Sequence, residues 1–475
     1  MVAVDIGGYS PPTVLDVSDE AVRGDELGLV EIQLVNTASN RSNIESGDDV
    51  TVTRDGTDVM SGYVTAKESD GSTDTLRVEA MAKRLELTHE QLHTVFYNRE
   101  SSSAVTTAIT TRSRSLPLTE IHVGSSTTDW RATAPVFQLY DGTRAGLYNW
   151  GTDLLFVGAR KGHDEALEVT FDAVPPNASE DGIFELQTRL LINNVGGVFS
   201  FEVEFVTLDG TSYLWQPEIP GTGFHTYTLK AEAATPGDGL NGTLRYRFDI
   251  AGELGQNTGI FIDSAHTIPF RRESRTTDLS TSGVKSTGRD ITRRVDENVA
   301  SFISTLALED RVNWWVDPTD VLHYGGGGSR RTDRAIDDSS PPPVLRPEID
   351  RDYESIRNKV TVQGADDIEV TVQDASSIVF YGVNARTEPI QDKELHSEAE
   401  ARARAEGYLD KHAWEDAIAT FPVVDESYSD LTPGERISVT WSEADLDGTF
   451  TVDSVATNTA GVVEVTIGAS SGSST

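Results

Sequence analysis

The sequence predicts a mainly β fold with a few helices: two related β-barrels at the chain ends, a mixed α+β segment and an inserted β-sandwich. Three observations carry this. Alternating apolar and polar residues recur in strand-length runs along most of the 475 residues. One three-strand pattern is written twice, at 43–80 and again from Asp430. Between the copies lies an aromatic-rich stretch of short strands separated by Gly, Asp, Pro and Asn turns.

Residues 1–42 hold two strand-like runs, Thr13 to Val17 and Leu29 to Val35, beside a Gly/Pro-rich start. The first copy of the repeat opens at Gly47-Asp48, a pair suited to a tight turn. It continues with Val50 and Val52 facing inward, an Asp55-Gly56 turn, a strand through Gly62-Tyr63-Val64, an Asp70-Gly71 turn, and a strand with Leu76 and Val78. The second copy matches it step by step: Gly434-Glu435, then Ile437 and Val439, Asp447-Gly448, Phe450 to Val455, a turn over 457–461, and Val463, Val465 and Ile467. Three short strands cannot bury a stable core alone, so each copy is expected to be most of a small barrel. The predicted domains are 1–115 (first barrel and following helix), 116–272 (insert), 273–423 (α+β segment) and 424–475 (second barrel and polar tail).

After the first copy, Ser103 to Thr111 reads as a short helix. His89-Glu90-Gln91-Leu92-His93 spells HExxH, which on a helix sets two imidazoles one turn apart beside a general base for a zinc-bound water. Zinc chemistry needs a third ligand, and Glu100, Glu120 and His122 stand in no second motif. Glu86 is also charged where such helices are usually apolar. A solvated helix turn is expected instead, with no catalytic residue, no metal ligand and no cofactor.

The insert carries strand runs at 166–171, 183–187, 198–203 and 244–250, and closes on Gly259-Ile260-Phe261-Ile262-Asp263-Ser264-Ala265. In its length, strand rhythm and closing run it resembles the jelly-roll carbohydrate-binding modules. That resemblance implies that Tyr140, Trp150, Tyr213 and Trp215 could stack on sugar rings; the alternative is that these aromatics belong to the core.

From 273 the chain changes again. Val295, Val299, Phe302, Ile303 and Leu306 form one helical stripe. Val312 to Val316 and Val321 to Tyr324 flank an Asp317-Pro318 turn. Asn358 to Gly364 reads as a strand, Val379 to Gly382 as a strand end, and Ser397 with Glu400 as a capping box opening a helix with Ala401, Ala405, Tyr408 and Leu409 on one face. The four glycines at 325–328 are followed by no Gly-Lys-Ser/Thr, so they are not a phosphate loop.

The formal charge is −38, with 77 acidic residues against 39 Lys and Arg, and only eight of the 39 are lysine. Such a chain suits molar salt, where the Debye length is ~3 Å and self-repulsion is screened. A halophilic source is expected. The charge argues against sequence-specific DNA binding, which needs basic faces. There is no cysteine, hence no disulfide or thiolate-metal site. The N-terminus shows no signal-peptide pattern and no apolar run approaches the ~20 residues of a membrane span, so a soluble protein is expected.

Taken in order, the runs at Gly47 to Ala80, Asn313 to Leu322, Asn358 to Gly364, Tyr381-Gly382, Ser397 to Leu409 and Leu431 to Val455 resemble the tail hub proteins of tailed viruses. These are relatives of the contractile-tail baseplate hub and of the base of type VI secretion spikes. The resemblance covers both chain ends and leaves 116–272 unmatched. It implies a homotrimeric ring at the distal end of the tail tube, which adapts a sixfold tube to a threefold tip and lets DNA pass without specific binding. Partners so implied are a second and third copy of the chain, the tail tube or distal tail protein, tip or fibre proteins and, through the insert, host surface glycans. It further implies residence in a virion tail, here of a virus infecting a halophilic archaeon. A carbohydrate-binding surface protein and an HExxH zinc peptidase are the competing functions.

Overall fold

The computed structural model describes residues 2–22, 29–54, 56–70, 74–83, 85–115, 118–123, 130–132, 155–157, 166–174, 180–193, 198–216, 223–232, 240–250, 259–317, 319–325, 331–338, 344–352, 355–365, 368–395, 397–413, 416–431, 433–444, 446–457 and 462–468. Mostly β, with few helices, it matches the predicted fold class.

The N-terminal lobe is a run of antiparallel strands in the spatial order Val2–Ile6, Asp49–Arg54, Thr57–Asp70, Thr75–Ala82, Leu29–Val35 and Val14–Val22. Alternation puts Val50, Val52, Leu76, Val78, Ile32 and Leu34 on one face, where all are buried in a common core. The C-terminal lobe repeats the meander with Arg436–Trp441, Leu446–Thr457 and Val463–Gly468. Its core holds Ile437, Val439, Val452, Val465 and Ile467, the counterparts of the first set.

Two details differ from the sequence reading. Asp447-Gly448 is not a turn: Thr440 pairs with Asp447 and Val439 with Gly448, so both already lie in the ladder, and a 3-10 turn at Ser442–Ala444 reverses the chain. The C-terminal lobe also begins well before residue 424. It recruits Asp416–Val423, Glu348–Asp352 and Arg331–Asp337 as further strands, because a three-stranded meander leaves one face of its core uncovered.

In the α+β segment, Gln91–Glu100 pairs with Asp290–Asn298, and helices Ser101–Thr110 and Val299–Asp310 pack on them around Phe96, Val105, Phe302 and Leu306. The predicted stripe is partly wrong. Val295 sits opposite Thr94 in the strand pair, and the helix starts only after Asn298, whose side chain accepts from the Ser301 amide. The hairpin Trp314–Val316 with Val321–Tyr324 forms as expected.

A smaller sheet of Lys359–Gln363, Glu369–Gln373 and Ile390–Gln391 is covered by the helix Glu398–His412. Ser397 caps this helix at the Glu400 amide and buries Ala401, Ala405 and Leu409. The expected strand end at Val379 is instead the helix Ala375–Tyr381, begun by the Asp374 carboxylate accepting from the Ser377 amide.

The insert is a sandwich of two sheets. One orders Trp130–Ala132, Ala166–Val174, Leu240–Ile250, Val198–Thr207 and Ser212–Trp215. The other orders Leu155–Val157, Gly259–Ser274, Glu180–Asn193 and Gly223–Glu232. Across the gap, the Phe184 and Phe205 rings meet edge-on at 5.1 Å and the Tyr246 hydroxyl donates to Thr188. Its second sheet reaches beyond the predicted 116–272 limits, since Thr111–Ser115 pairs with residues 270–274. The chain thus enters and leaves side by side, where the Arg275 amide donates to the Thr110 carbonyl.

Candidate assembly interface

The two copies of the repeat share a fixing geometry. Gly47 and Gly434 both have positive φ, +92° and +93°. Gly47 donates to the Val64 carbonyl at 2.8 Å and Val64 returns the bond to Asp48 at 2.9 Å. Gly434 donates to Val452 at 2.7 Å and Val452 returns it to Glu435 at 2.8 Å. Each glycine closes the mouth of a meander in a conformation that costs an L-residue strain.

The two lobes are joined through strand pairing. Val14–Val22 leaves its N-terminal neighbours and pairs with Leu446–Thr457, matching Asp19 with Thr457, Ala21 with Val455 and Val22 with Ser454. Arg54 adds a side-chain bond to the Thr457 carbonyl at 3.2 Å. All twelve lobe strands therefore belong to one sheet. The sheet is branched, and three of its strands, Val2–Ile6, Glu348–Asp352 and Arg331–Asp337, each pair with a single neighbour among the described residues. Open edges of this kind offer unpaired backbone donors and acceptors to another strand.

The sandwich is docked on the α+β segment by buried charge. Glu232, at the end of one sandwich strand, pairs with Arg272 and with Arg99. Arg272 also donates to the Thr94 hydroxyl at 3.0 Å and to the Val95 carbonyl, and its guanidinium lies 4.5 Å from the Phe96 ring centre. Lys230, two residues earlier, is buried beside Glu394 at 3.5 Å. Burial pushes its pKa down, against the pull of Glu394 and Glu185. Buried charges bonded on several sides hold one geometry, because any shift strands a charge.

The expected aromatic platform divides. Tyr140 and Trp150 lie outside the described residues. Tyr213 is 4% exposed, so it is not a surface platform. Its hydroxyl donates to the Glu232 carbonyl and its ring meets Tyr97 of the α+β segment edge-on at 5.1 Å. Trp215 stacks on the Tyr213 ring at 6.4 Å and is half-buried, with its Nε1 buried and bonded to nothing among the described residues.

HExxH does not form its helical face. The helix Leu85–His89 ends on the first histidine and the strand Gln91–Glu100 carries the second. His89 is exposed, and His93 Nδ1 contacts Asp296 at 2.5 Å. Glu90, the general base of that reading, is paired with Arg275 at 2.9 Å and Arg112 at 3.5 Å. Glu100 accepts from the Thr287 and Gly288 amides and the Ser286 hydroxyl, which hold its pKa down. The Glu120 and His122 side chains lie outside the described ones. Among the described residues no group of three or more His, Asp and Glu could hold a metal, and no helix is long and apolar enough to cross a membrane.

Sequence reasoning missed the seam strand pairing and the Glu232–Arg272–Arg99 cluster, whose members lie far apart in the chain.

No protein-family model matches the chain, and no curated protein matches it. Among solved structures, 98% of the chain aligns with 98% of the 43 kDa tail protein of prophage MuSo2 from Shewanella oneidensis, at 10% identity and a TM-score of 0.50. A tail protein from Neisseria meningitidis MC58 aligns over 98% of this chain and 96% of its own, at 11% identity and a TM-score of 0.47. The prophage tail protein gp18 of Listeria monocytogenes EGD-e aligns over 99% and 95%, at 9% identity and a TM-score of 0.43. The likeness to the Shewanella protein is one of fold: this chain shares the architecture of that structure.

Proposed function

We propose that the chain is a structural component of a viral tail, acting as a trimeric hub at the distal end of the tail tube. The observation that carries this reading is the seam: two copies of one barrel unit, paired edge to edge within a single chain. Three such chains would present six barrel units, matching a sixfold tube on one side and a threefold tip on the other. The open strands Val2–Ile6 and Glu348–Asp352 are the edges through which neighbouring copies would pair. The likeness of fold to the MuSo2 tail protein over nearly the whole chain supports the tail role.

In this reading the protein performs no catalysis. Its carboxylates would repel the phosphate backbone of DNA passing through the ring, and its charge suits the cytoplasm of a halophilic archaeal host. The sandwich, held in one orientation by its buried ion pairs, would stand as a fixed projection that can meet host surface glycans. Tail tube, tip and fibre proteins would be its other neighbours in the virion.

Light scattering after size exclusion in molar salt tests the reading, with negative-stain imaging of the same fraction. A mass near three times 51.6 kDa and a ring-shaped particle are expected. A monomer that neither self-associates nor binds purified tail tubes would overturn it.

A further inference from the structure

The duplication extends beyond the meander to every strand of the two lobes. In the N-terminal lobe the spatial order is Val2–Ile6, Asp49–Arg54, Thr57–Asp70, Thr75–Ala82, Leu29–Val35 and Val14–Val22. In the C-terminal lobe it is Arg331–Asp337, Arg436–Trp441, Leu446–Thr457, Val463–Gly468, Asp416–Val423 and Glu348–Asp352. Only the outermost strand differs in direction, antiparallel in the first lobe and parallel in the second. Val64 and Val452 mark the same place in the two lobes. Each is bonded to its turn glycine, and each precedes a register shift against the next strand. Ala66, Lys67, Glu68 and Ser69 are therefore the counterparts of Ser454, Val455, Ala456 and Thr457. Val64 pairs with Ala80 and Val452 with Ile467; these reach Asp19 through Val30 and Ile349 through Ala419. Ile349 to Asp352 thus correspond to Asp19 to Val22.

In the seam, residues 19–22 pair with 454–457. Both segments have counterparts that lack this pairing. Among the described residues, Glu348–Asp352 pairs only with Asp416–Val423. Residues 66–70 pair only with Thr75–Ala82, because Asp49–Arg54 and the turn before it reach no further than Val64. Lys67 places its ammonium on the Arg41 and Ile44 carbonyls, a side-chain contact and not a ladder bond. Burial follows the pairing: Val455 and Thr457 are buried, whereas Lys67 and Ser69 are exposed. We propose that the seam is repeated between chains, with Glu348–Asp352 of one copy pairing antiparallel with residues 66–69 of the next. The seam register carries over, setting Ile349 opposite Ser69 and Asp352 opposite Ala66. This pairing rests on the hub reading and sharpens it, giving Glu348–Asp352 a mate other than Val2–Ile6. The contact is head to tail, and each chain makes it twice, once at each edge. Closure at three chains then joins six lobes through one kind of seam. Main-chain bonds carry such a contact, so it needs no side-chain recess. The register sets Asp350 against Glu68, a like-charged couple that opposes pairing in dilute salt. Molar salt, with a Debye length of ~3 Å, screens it.

The chain has no cysteine, so introduced thiols report on single positions. Full-length variants are first matched to wild type in circular dichroism and in mass by light scattering. Ser69→Cys and Ile349→Cys chains, mixed and oxidised in molar salt, should give a disulfide-linked dimer on denaturing gels. Neither should link alone, because the contact is head to tail. Ser69→Cys mixed with Asp352→Cys should not link either. Those positions stand three residues out of register, ~10 Å along the strand, beyond the ~7 Å that a disulfide spans between Cα atoms. As a second readout, Glu68→Lys at its exposed position should shift assembly to lower salt than wild type needs. Three results overturn the pairing and leave the hub reading standing. They are a trimer in which Ser69→Cys links no better to Ile349→Cys than to Asp352→Cys, a dimer formed by either variant alone, and a Glu68→Lys chain that needs as much salt as wild type. A wild-type chain that stays monomeric and ignores tail tubes overturns both.

Discussion

Gly47 and Gly434 occupy the same place in the two halves of one duplicated unit, with φ values one degree apart and the same reciprocal pair of backbone bonds. Their surroundings differ, and that gives a graded prediction. A Cβ on Gly47 would meet nothing within 4 Å, whereas one on Gly434 would lie 3.2 Å from the Trp315 ring. Gly47→Ala should cost the backbone strain alone, about 1–2 kcal/mol. Gly434→Ala should cost more, since Trp315 stacks on His323 at 4.7 Å and has little room to give. Urea titration of both variants in molar salt measures the difference; equal losses would mean that Trp315 moves freely.

The Glu232–Arg272 pair predicts how firmly the sandwich is held. Both side chains are almost fully buried, so Glu232→Gln leaves Arg272 without its counter-charge. A loss of about 3–5 kcal/mol is expected. A Glu232→Leu/Arg272→Met double variant should recover much of it, because no buried charge then remains from the pair. If limited proteolysis released the sandwich from wild type as readily as from Glu232→Gln, the pair would not be what fixes its orientation.

Much of this fold was legible because alternation is a local signal. Val50 and Val52, or Ile437 and Val439, announce strand and inward face within four residues. The misreadings also have local causes. Val295 continues a helical stripe by spacing, yet Ile291, Arg293 and Val295 alternate equally well, and the Asn298 cap decides between the two. Val379-Phe380-Tyr381 has strand-like composition, but Asp374 and Ser377 set a helix N-terminus just before it. The seam and the Arg99–Glu232–Arg272 cluster join residues about 40 to 440 positions apart, and no strand-length window of sequence holds both partners. Tyr213 was ambiguous for a further reason: an aromatic on an edge strand reads the same whether its ring meets solvent or the neighbouring domain.

The tip of the 314–324 hairpin should be acid-sensitive. Burial raises the Asp317 pKa, but bonds from His323, the Thr319 hydroxyl and the Thr319 and Val321 amides outweigh it and hold the value at about 2. Because the folded pKa lies below the unfolded value of ~3.9, the stabilisation is complete above pH ~4 and is lost as pH falls toward 2. The shift corresponds to about 1–2 kcal/mol after allowance for solvent screening. With 77 acidic residues titrating in the same range, the readout is the difference between wild type and Asp317→Asn. That difference should be present at pH 5–6 and shrink by pH 2.5; a constant gap would assign the role of Asp317 to packing.

His93 and His89 provide the last test, of chemistry rather than stability. A zinc site would make both histidines essential to bound metal. Here one ends a helix, the other faces out of a strand onto Asp296, and the intervening Glu90 is engaged by two arginines. Protein equilibrated with zinc and then dialysed should retain none in stoichiometric amount by elemental analysis, and His89→Ala should behave as wild type. His93→Ala should change stability by no more than about 0.5–1 kcal/mol, the worth of an exposed ion pair. One zinc per chain that either substitution removes would show that Glu90 and the two histidines reorganise around metal, and would restore the hydrolase reading.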